Sequence, residues 1–244
     1  DRKLFRRDSL VLEDSDVVDQ ALVSRLPPVA PGSSRLFLCR HGQTDYNLKC
    51  MFQGRGVNTV LNDTGILQAN FLARAMRNVP LSAIYSSTLN RAKETAMIVA
   101  QYHPTVKMQH FRDLEEMSFG KFEGNARSLF HNDLHAIYDQ WELGHYDHSF
   151  PDGECPLDVA KRGVAQIDAL MQASLQQDNV LIVTHGRFNK VVLARMLDGG
   201  MENMQALPQD NTCVNVVDFD HASHSYTRVE LNNTEHLPSL LNPQ

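Results

Sequence analysis

Two stretches of this chain end an apolar run in a histidine followed by glycine: Leu36-Phe37-Leu38-Cys39-Arg40-His41-Gly42 and Val180-Leu181-Ile182-Val183-Thr184-His185-Gly186. A neutral imidazole is a competent nucleophile near neutral pH, and a guanidinium beside it offers a planar fork of donors for phosphate oxygens. Taken singly, either stretch is equally a surface histidine at a strand end. The pair carries more, because ligands of open parallel sheets sit outside the carboxyl ends of strands, where a helix N-terminus favours an anion. Gly42 is expected to let backbone come close to such a ligand.

The elements that must position these residues alternate along the chain. Strands are expected near 35–40, 82–86, 106–109, 180–184, 213–219 and 225–231, and helices near 63–78, 88–101, 155–177 and 187–198. The third of these helices has the clearest pattern, with Leu157, Ala160, Val164, Ile167, Met171 and Leu175 at steps of three and four. Strand and helix alternation predicts a mostly parallel sheet covered on both faces, with the last two strands adding an antiparallel edge.

Further motifs occur in order: R-H-G-Q-T-D-Y-N at 40–47, Q-G at 53–54, L-N-D-T-G at 61–65, Y-S-S-T-L-N-R-A-K-E-T-A at 85–96, L-E-E-M-S-F-G at 114–120, D-G-E at 152–154, T-H-G at 184–186 and E-H-L at 235–237. With these the chain resembles the histidine phosphatase superfamily, in its phosphoglycerate-mutase-like branch, from about Arg35 to Leu237. The resemblance implies an α/β fold, a three-layer α/β/α sandwich with a mostly parallel central sheet. It implies that His41 is the phosphorylated nucleophile, that Arg40, Arg91 and His185 clamp the phosphate, and that Glu116 is the proton donor. Asn47, Gln53, Gly54 and Gly186 are implied as substrate-binding positions.

Elementary chemistry agrees with those roles. A phosphomonoester brings about two negative charges, and positive electrostatics and positioning do most of the work of phosphoryl transfer. Arg91 is expected in the first turn of a helix capped by Ser87 or Thr88. Glu116 is to protonate the leaving oxygen and then draw a proton from water. Its rival is the adjacent Glu115, which alternation along an extended segment sends to the opposite face.

Composition narrows the class. At 244 residues and 42% hydrophobic content the chain is long enough for one α/β domain with a sizeable core. A formal charge of −6 argues against a general nucleic-acid binder, and no apolar run approaches the roughly 18 residues of a membrane span. A soluble, cytoplasmic enzyme is expected, or an organellar one after cleavage of a preceding segment, with small phosphorylated metabolites as partners and oligomeric state open. Cys39, Cys50, Cys155 and Cys213 lack C-x-x-C spacing and read as reduced thiols; Cys39, beside Arg40, is the rival nucleophile. Residues 1–34, which begin without Met, read as an N-terminal arm ending in the Pro27–Ser34 linker of a processed or truncated longer chain, with a short amphipathic helix around Val17, Val18, Ala21 and Leu22. The enzyme domain is expected over 35–244.

An insertion at about 121–154 is expected to cover the site as a lid, with a helix from Arg127 to Leu143 carrying Phe130, Leu134, Ile137, Tyr138 and Trp141. His131 and His135 have metal-ligand spacing, but no Cys or Glu completes a ligand set, and neither metal nor cofactor is expected. The segment holds two basic residues (Lys121, Arg127) against seven acidic ones (Glu123, Asp133, Asp139, Glu142, Asp147, Asp152, Glu154). That balance disfavours a second phosphate on the substrate, as in a fructose-2,6-bisphosphatase. The 69 positions from Glu116 to His185 hold no long basic, proline-containing insertion of the kind carried by phosphoglycerate mutases. The reading is a metal-independent phosphomonoesterase acting through phosphohistidine on small metabolites. The alternatives are a mutase or sugar bisphosphatase, and a non-catalytic module binding phosphorylated ligands.

Overall fold

The computed structural model describes residues 25–241; the expected helix around Val17 to Leu22 lies outside them. The elements are β1 (Ser33–Arg40), α1 (Asp45–Leu48), α2 (Asp63–Met76), β2 (Leu81–Ser87), α3 (Asn90–Ala100), β3 (Met108–Phe111), α4 (His131–Glu142), α5 (Pro156–Gln172), β4 (Asn179–Thr184), α6 (Gly186–Asp198), β5 (Val214–Asp220) and β6 (Ser225–Asn233). Among the described residues the strands form one six-stranded sheet in the order β3-β2-β4-β1-β5-β6. The first four are mutually parallel, and β5 and β6 run antiparallel at one edge.

The central strands are buried on both faces, and alternation along them divides the core in two. Leu36, Leu38, Val180, Ile182, Val217 and Phe219 point to the layer of α5 and α6, whereas Phe37, Cys39, Leu181, Val183, Val214 and Val216 point to that of α2 and α3. The fold is the expected α/β sandwich.

Several local expectations differ. Ser33 and Ser34, read as linker, are the buried start of β1, and the preceding chain is tied to the domain by Arg35 Nη1 on the Pro27 carbonyl (2.9 Å) and Gln177 Nε2 on the Ala30 carbonyl (2.8 Å). β3 starts two residues later than expected, after a turn in which Val106 N–H bonds the His103 carbonyl. The expected 127–143 helix is a 3₁₀ turn at Arg127–Phe130 followed by α4, the break coming at Phe130, whose ring stacks on Phe122 at 4.1 Å. α5 buries Val159, Ala160, Gly163, Ile167, Leu170 and Met171, while Leu157 and Leu175, two of the residues chosen for its apolar face, are exposed. No helix among the described residues is long and apolar enough to cross a membrane.

The α5 and α6 contact depends on one glycine. A Cβ on Gly163 would lie 2.6 Å from Phe188 Cε2 and 2.8 Å from Val192 Cγ1, closer than real contacts allow. Gly163→Ala is therefore expected to cost about 1–3 kcal/mol as overpacking, read as a lower denaturant midpoint; an unchanged midpoint would show that α6 shifts freely.

Candidate active site

Register between β1 and β4 brings the two histidines together. Arg40 is paired with Thr184, and His41 N–H donates to the Thr184 carbonyl (3.0 Å), so His41 and His185 leave adjacent parallel strands side by side. Their ring centroids are 5.2 Å apart, close to the spacing of neighbouring strands. Both residues are buried. His41 Nδ1 lies 2.7 Å from the Gly42 carbonyl, and since a carbonyl only accepts, Nδ1 carries the proton and Nε2 keeps its lone pair. Burial, then Arg91 and Arg40, holds the His41 imidazole well below its ordinary pKa of 6.5. Burial, then Arg91 and His41, does the same to His185.

Arg91 is fully buried. Its acceptors are carbonyls: Val57 on Nη1 (2.8 Å) and Gln53 on Nη2 (3.2 Å). Burial lowers its pKa from 12.5 to about 10. The helix carrying it is not capped by Ser87 or Thr88. The N-cap is Leu89, with no side-chain cap; Ser87 Oγ accepts from Leu89 N–H, and Thr88 donates to Glu115. Arg40 is held by the Gln209 carbonyl (2.6 Å). Beneath it a buried side-chain network runs from Thr184 through Asn189 and Gln209 to Asn215. Arg40 Nε, Arg91 Nε, Gln53 Nε2 and both ring nitrogens of His185 are buried and have no hydrogen-bond partner among the described residues.

The other expected positions are used as follows. Gly42 makes room for backbone of its own chain: its Cβ would lie 2.5 Å from the Gly65 carbonyl, at the start of α2. Asn47 closes a capping box with Thr44 on α1, and Asn211 Nδ2 reaches both the His41 carbonyl (3.0 Å) and Asn47 Oδ1 (3.4 Å). Gln53 Oε1 accepts from Thr44 and Thr59. Gly54 backs onto the Met117 carbonyl and the Glu123 carboxylate, and a Cβ on Gly186 would come within 3.2 Å of Arg40 Nε.

The two adjacent carboxylates diverge. Glu115 accepts from Arg55 Nε (2.8 Å) and Thr88. Glu116 reaches the start of α6, where Oε1 accepts from Phe188 N–H (2.8 Å) and Met117 N–H (2.9 Å) and Oε2 from Arg187 N–H (3.1 Å). Arg162 fixes this loop from α5, donating to the carbonyls of Asp113 (2.9 Å), Glu115 (2.7 Å) and Glu116 (3.0 Å) and, with Nε and Nη2, to both oxygens of Glu154. Burial opposes the charge of Glu154, yet Arg162, Ser118 N–H and Arg55 hold it below the usual carboxylate range. Glu154 belongs to the D-G-E motif, whereas nothing in the sequence pattern singled out Arg162 or Asn211.

The insertion's acidity is not presented to the histidines as the residue count suggested. Glu123 bonds Gly56 N–H and Phe119 N–H, Glu154 is taken by Arg162 and Arg55, and the other five acids are exposed. α4 buries Ile137 and Trp141 in the core, and Tyr138 Oη accepts from Arg187 Nη2 (2.7 Å). The rings of His131 and His135 lie 4.4 Å apart. No group of three or more His, Cys, Asp or Glu among the described residues is arranged to hold a metal ion.

Comparisons with known proteins agree on the kind of chain this is. The family model for the histidine phosphatase superfamily (branch 1) matches residues 36–233. A protein of Hydrogenobacter thermophilus named "Putative phosphoserine phosphatase 2" is 31% identical over 84% of this chain and 98% of its own length. The adenosylcobalamin/alpha-ribazole phosphatase of Salmonella typhimurium is 28% identical over 76% of this chain and 90% of its own. Among solved structures, phosphoserine phosphatase from Entamoeba histolytica in complex with 3-phosphoglyceric acid superposes with a TM-score of 0.73 at 25% identity, covering 84% of this chain and 100% of that one.

Two outcomes follow from the geometry. Removing Arg162 leaves the part-buried Glu154 carboxylate short of its principal partner, so Arg162→Met is expected to cost on the order of 3 kcal/mol of stability, checked by denaturant unfolding; a loss within 0.5 kcal/mol, about that of an ordinary surface substitution, would remove it from the brace. His41 and His185, together with His236, which burial lowers to about 4, are neutral when folded and become charged on unfolding below pH 6.5. Unfolding then takes up protons, so the stability present above pH 6.5 is lost progressively on acidification. Denaturation midpoints measured between pH 7.5 and 5 should fall; a flat profile would contradict the buried, neutral state of these rings.

Proposed function

The chain belongs to the histidine phosphatase superfamily, branch 1, and from that membership we propose that it is a metal-independent phosphatase hydrolysing small phosphorylated metabolites through a phosphohistidine on His41. The observation that carries this reading is the set of buried polar atoms that find no partner among the described residues, Arg40 Nε, Arg91 Nε, Gln53 Nε2 and the His185 ring nitrogens, together with an imidazole held neutral. Buried polar groups are rarely left unpaired, and these match the oxygens of a phosphoryl group. The named relatives, phosphatases of phosphoserine and alpha-ribazole type, support small phosphate esters as the substrate class.

His41 Nε2 attacks phosphorus while the bond to the leaving oxygen breaks, and Glu116 supplies the proton that the departing alcohol takes up. Water then attacks phosphorus as the phosphorus–nitrogen bond breaks, its electron pair returning to Nε2 and the water's proton going to Glu116, which restores the neutral ring. Oε2 of Glu116, with one backbone donor against two on Oε1, is the oxygen left free to exchange that proton. Arg40, Arg91 and His185 stabilise the charge that spreads over the transferred oxygens. Asn47, Gln53, Gly54 and Gly186 shape the pocket, and the 121–154 segment covers it.

The test is kinetic. His41→Ala should abolish turnover and the acid-labile phosphoenzyme, and Glu116→Gln should cripple hydrolysis of alkyl phosphates while sparing the phosphorylation step with p-nitrophenyl phosphate, whose leaving group departs unaided. Full activity in His41→Ala would end the proposal. If Glu115→Gln were the crippled variant, the acid would be one residue earlier.

A further inference from the structure

Beside the donors already described lies a second group of cations. Arg187 follows Gly186 directly, and its backbone N–H is on Glu116 Oε2, so it stands at the wall of the site. Its guanidinium bonds Gln205 Oε1 (2.6 Å) and Tyr138 Oη (2.7 Å) and lies 5.0 Å and 5.6 Å from the rings of Tyr138 and Trp141. Lys190, three residues on and on the same face of α6, places Nζ 3.0 Å from the Gln205 carbonyl. Arg127, exposed at the start of its 3₁₀ turn, lies over Phe52 at 5.3 Å.

The hydrogen-bond and ring partners of these three groups are neutral. Among the described residues none of them has a carboxylate within salt-bridge distance, whereas Arg35, Arg55 and Arg162 are each paired with one. Burial, then Arg187, Arg40 and Arg127, lowers Lys190 to about 8, and the opposing carboxylate, Asp210, accepts from Asn232 at 2.7 Å. Gathering like charges in a partly buried place is unfavourable unless an anion offsets it. The cluster is also continuous with the proposed phosphate clamp, since Arg127 and Lys190 both act electrostatically with Arg40.

We infer that Arg187 and Lys190, with Arg127 at the rim, form a second anion subsite for a carboxylate or further phosphate on the same molecule whose phosphoryl group faces His41. The substrate class narrows to small phosphate esters bearing a second negative group. This rests on the phosphatase reading and reverses the preference for a single anionic group drawn from the insertion's acidity. The cations come mainly from α6, beneath the insertion, where a count over the insertion does not register them.

Matched substrates test it, in buffers free of phosphate and sulfate. 3-Phosphoglycerate and glycerol 3-phosphate differ in a carboxylate against a hydroxymethyl group; fructose 1,6-bisphosphate and fructose 6-phosphate differ in a second phosphate. The expected result is a kcat/KM advantage for the more anionic member of at least one pair, on the order of tenfold or more. The pair showing it identifies the group bound. Lys190→Met and Arg187→Gln should each bring that ratio toward one, and a ratio is insensitive to any fraction of enzyme lost to misfolding. Ratios near one in the wild type, or ratios unmoved by both variants, would overturn the subsite. With glycerol 3-phosphate still hydrolysed, either result leaves the phosphatase reading intact; no phosphate released from any of the four or from p-nitrophenyl phosphate would overturn both.

Discussion

Positive charge held at the carboxyl edge of a sheet, with neutral groups and not carboxylates as its close partners, is the constraint on which the rest of this structure depends. Arg91 is buried among carbonyls, Arg40 rests on one carbonyl, and the two imidazoles between them are kept uncharged. A carboxylate in contact would neutralise the cations and close the site to an anionic ligand. The acids nearby are therefore engaged elsewhere: Glu115 with Arg55, Glu154 with Arg162, Glu116 on backbone N–H groups. Such a site is electrostatically unfavourable by itself, which is the price of being ready for a phosphate.

The fold supplies what holds it in place. Parallel pairing of β1 with β4 sets the separation of the histidines with no contribution from their own side chains. The amide network from Thr184 to Asn215 satisfies its buried polar atoms largely within itself and fixes the Gln209 carbonyl that receives Arg40. On the opposite side, Arg162 ties three carbonyls of the acid loop, those of Asp113, Glu115 and Glu116, to α5. Gly163 lets α5 approach α6 closely enough that Phe188 is packed from one side while its N–H meets Glu116.

The fold class and the two histidine junctions were legible because they rest on local patterns, a continuous apolar run ending in His-Gly. The divergence of Glu115 and Glu116 was legible from alternation. Residues whose placement depends on distant partners were read less well. Leu157 and Leu175 were misjudged because the first lies in the opening turn of α5 and the second beyond its end at Gln172, where a three-four pattern no longer says what is covered. Ser87 has the chemistry of an N-cap, but it sits at the end of β2 and the chain needs two more residues to turn into α3. Arg187, Lys190 and Arg162 carry no local signal at all, since a charged residue on a helix reads as solvent-facing until topology puts a pocket beside it. The same limit applies to the acidity of 121–154, since a residue count does not say that Glu123 and Glu154 are taken by backbone N–H groups and arginines.

Everything in the site turns on His41 being a neutral ring with its proton on Nδ1 and its lone pair on Nε2, beside cations whose direct hydrogen-bond partners are carbonyls. Nitrogen-15 NMR of the histidine-labelled protein, resolved by comparison with His41→Gln, measures this directly. The expected result is a protonated Nδ1 and an unprotonated Nε2 for His41, unchanged from pH 7.5 down to 5.5, a full unit below the ordinary imidazole pKa of 6.5. A charged imidazolium at pH 6, or a neutral ring with its proton on Nε2, would contradict it.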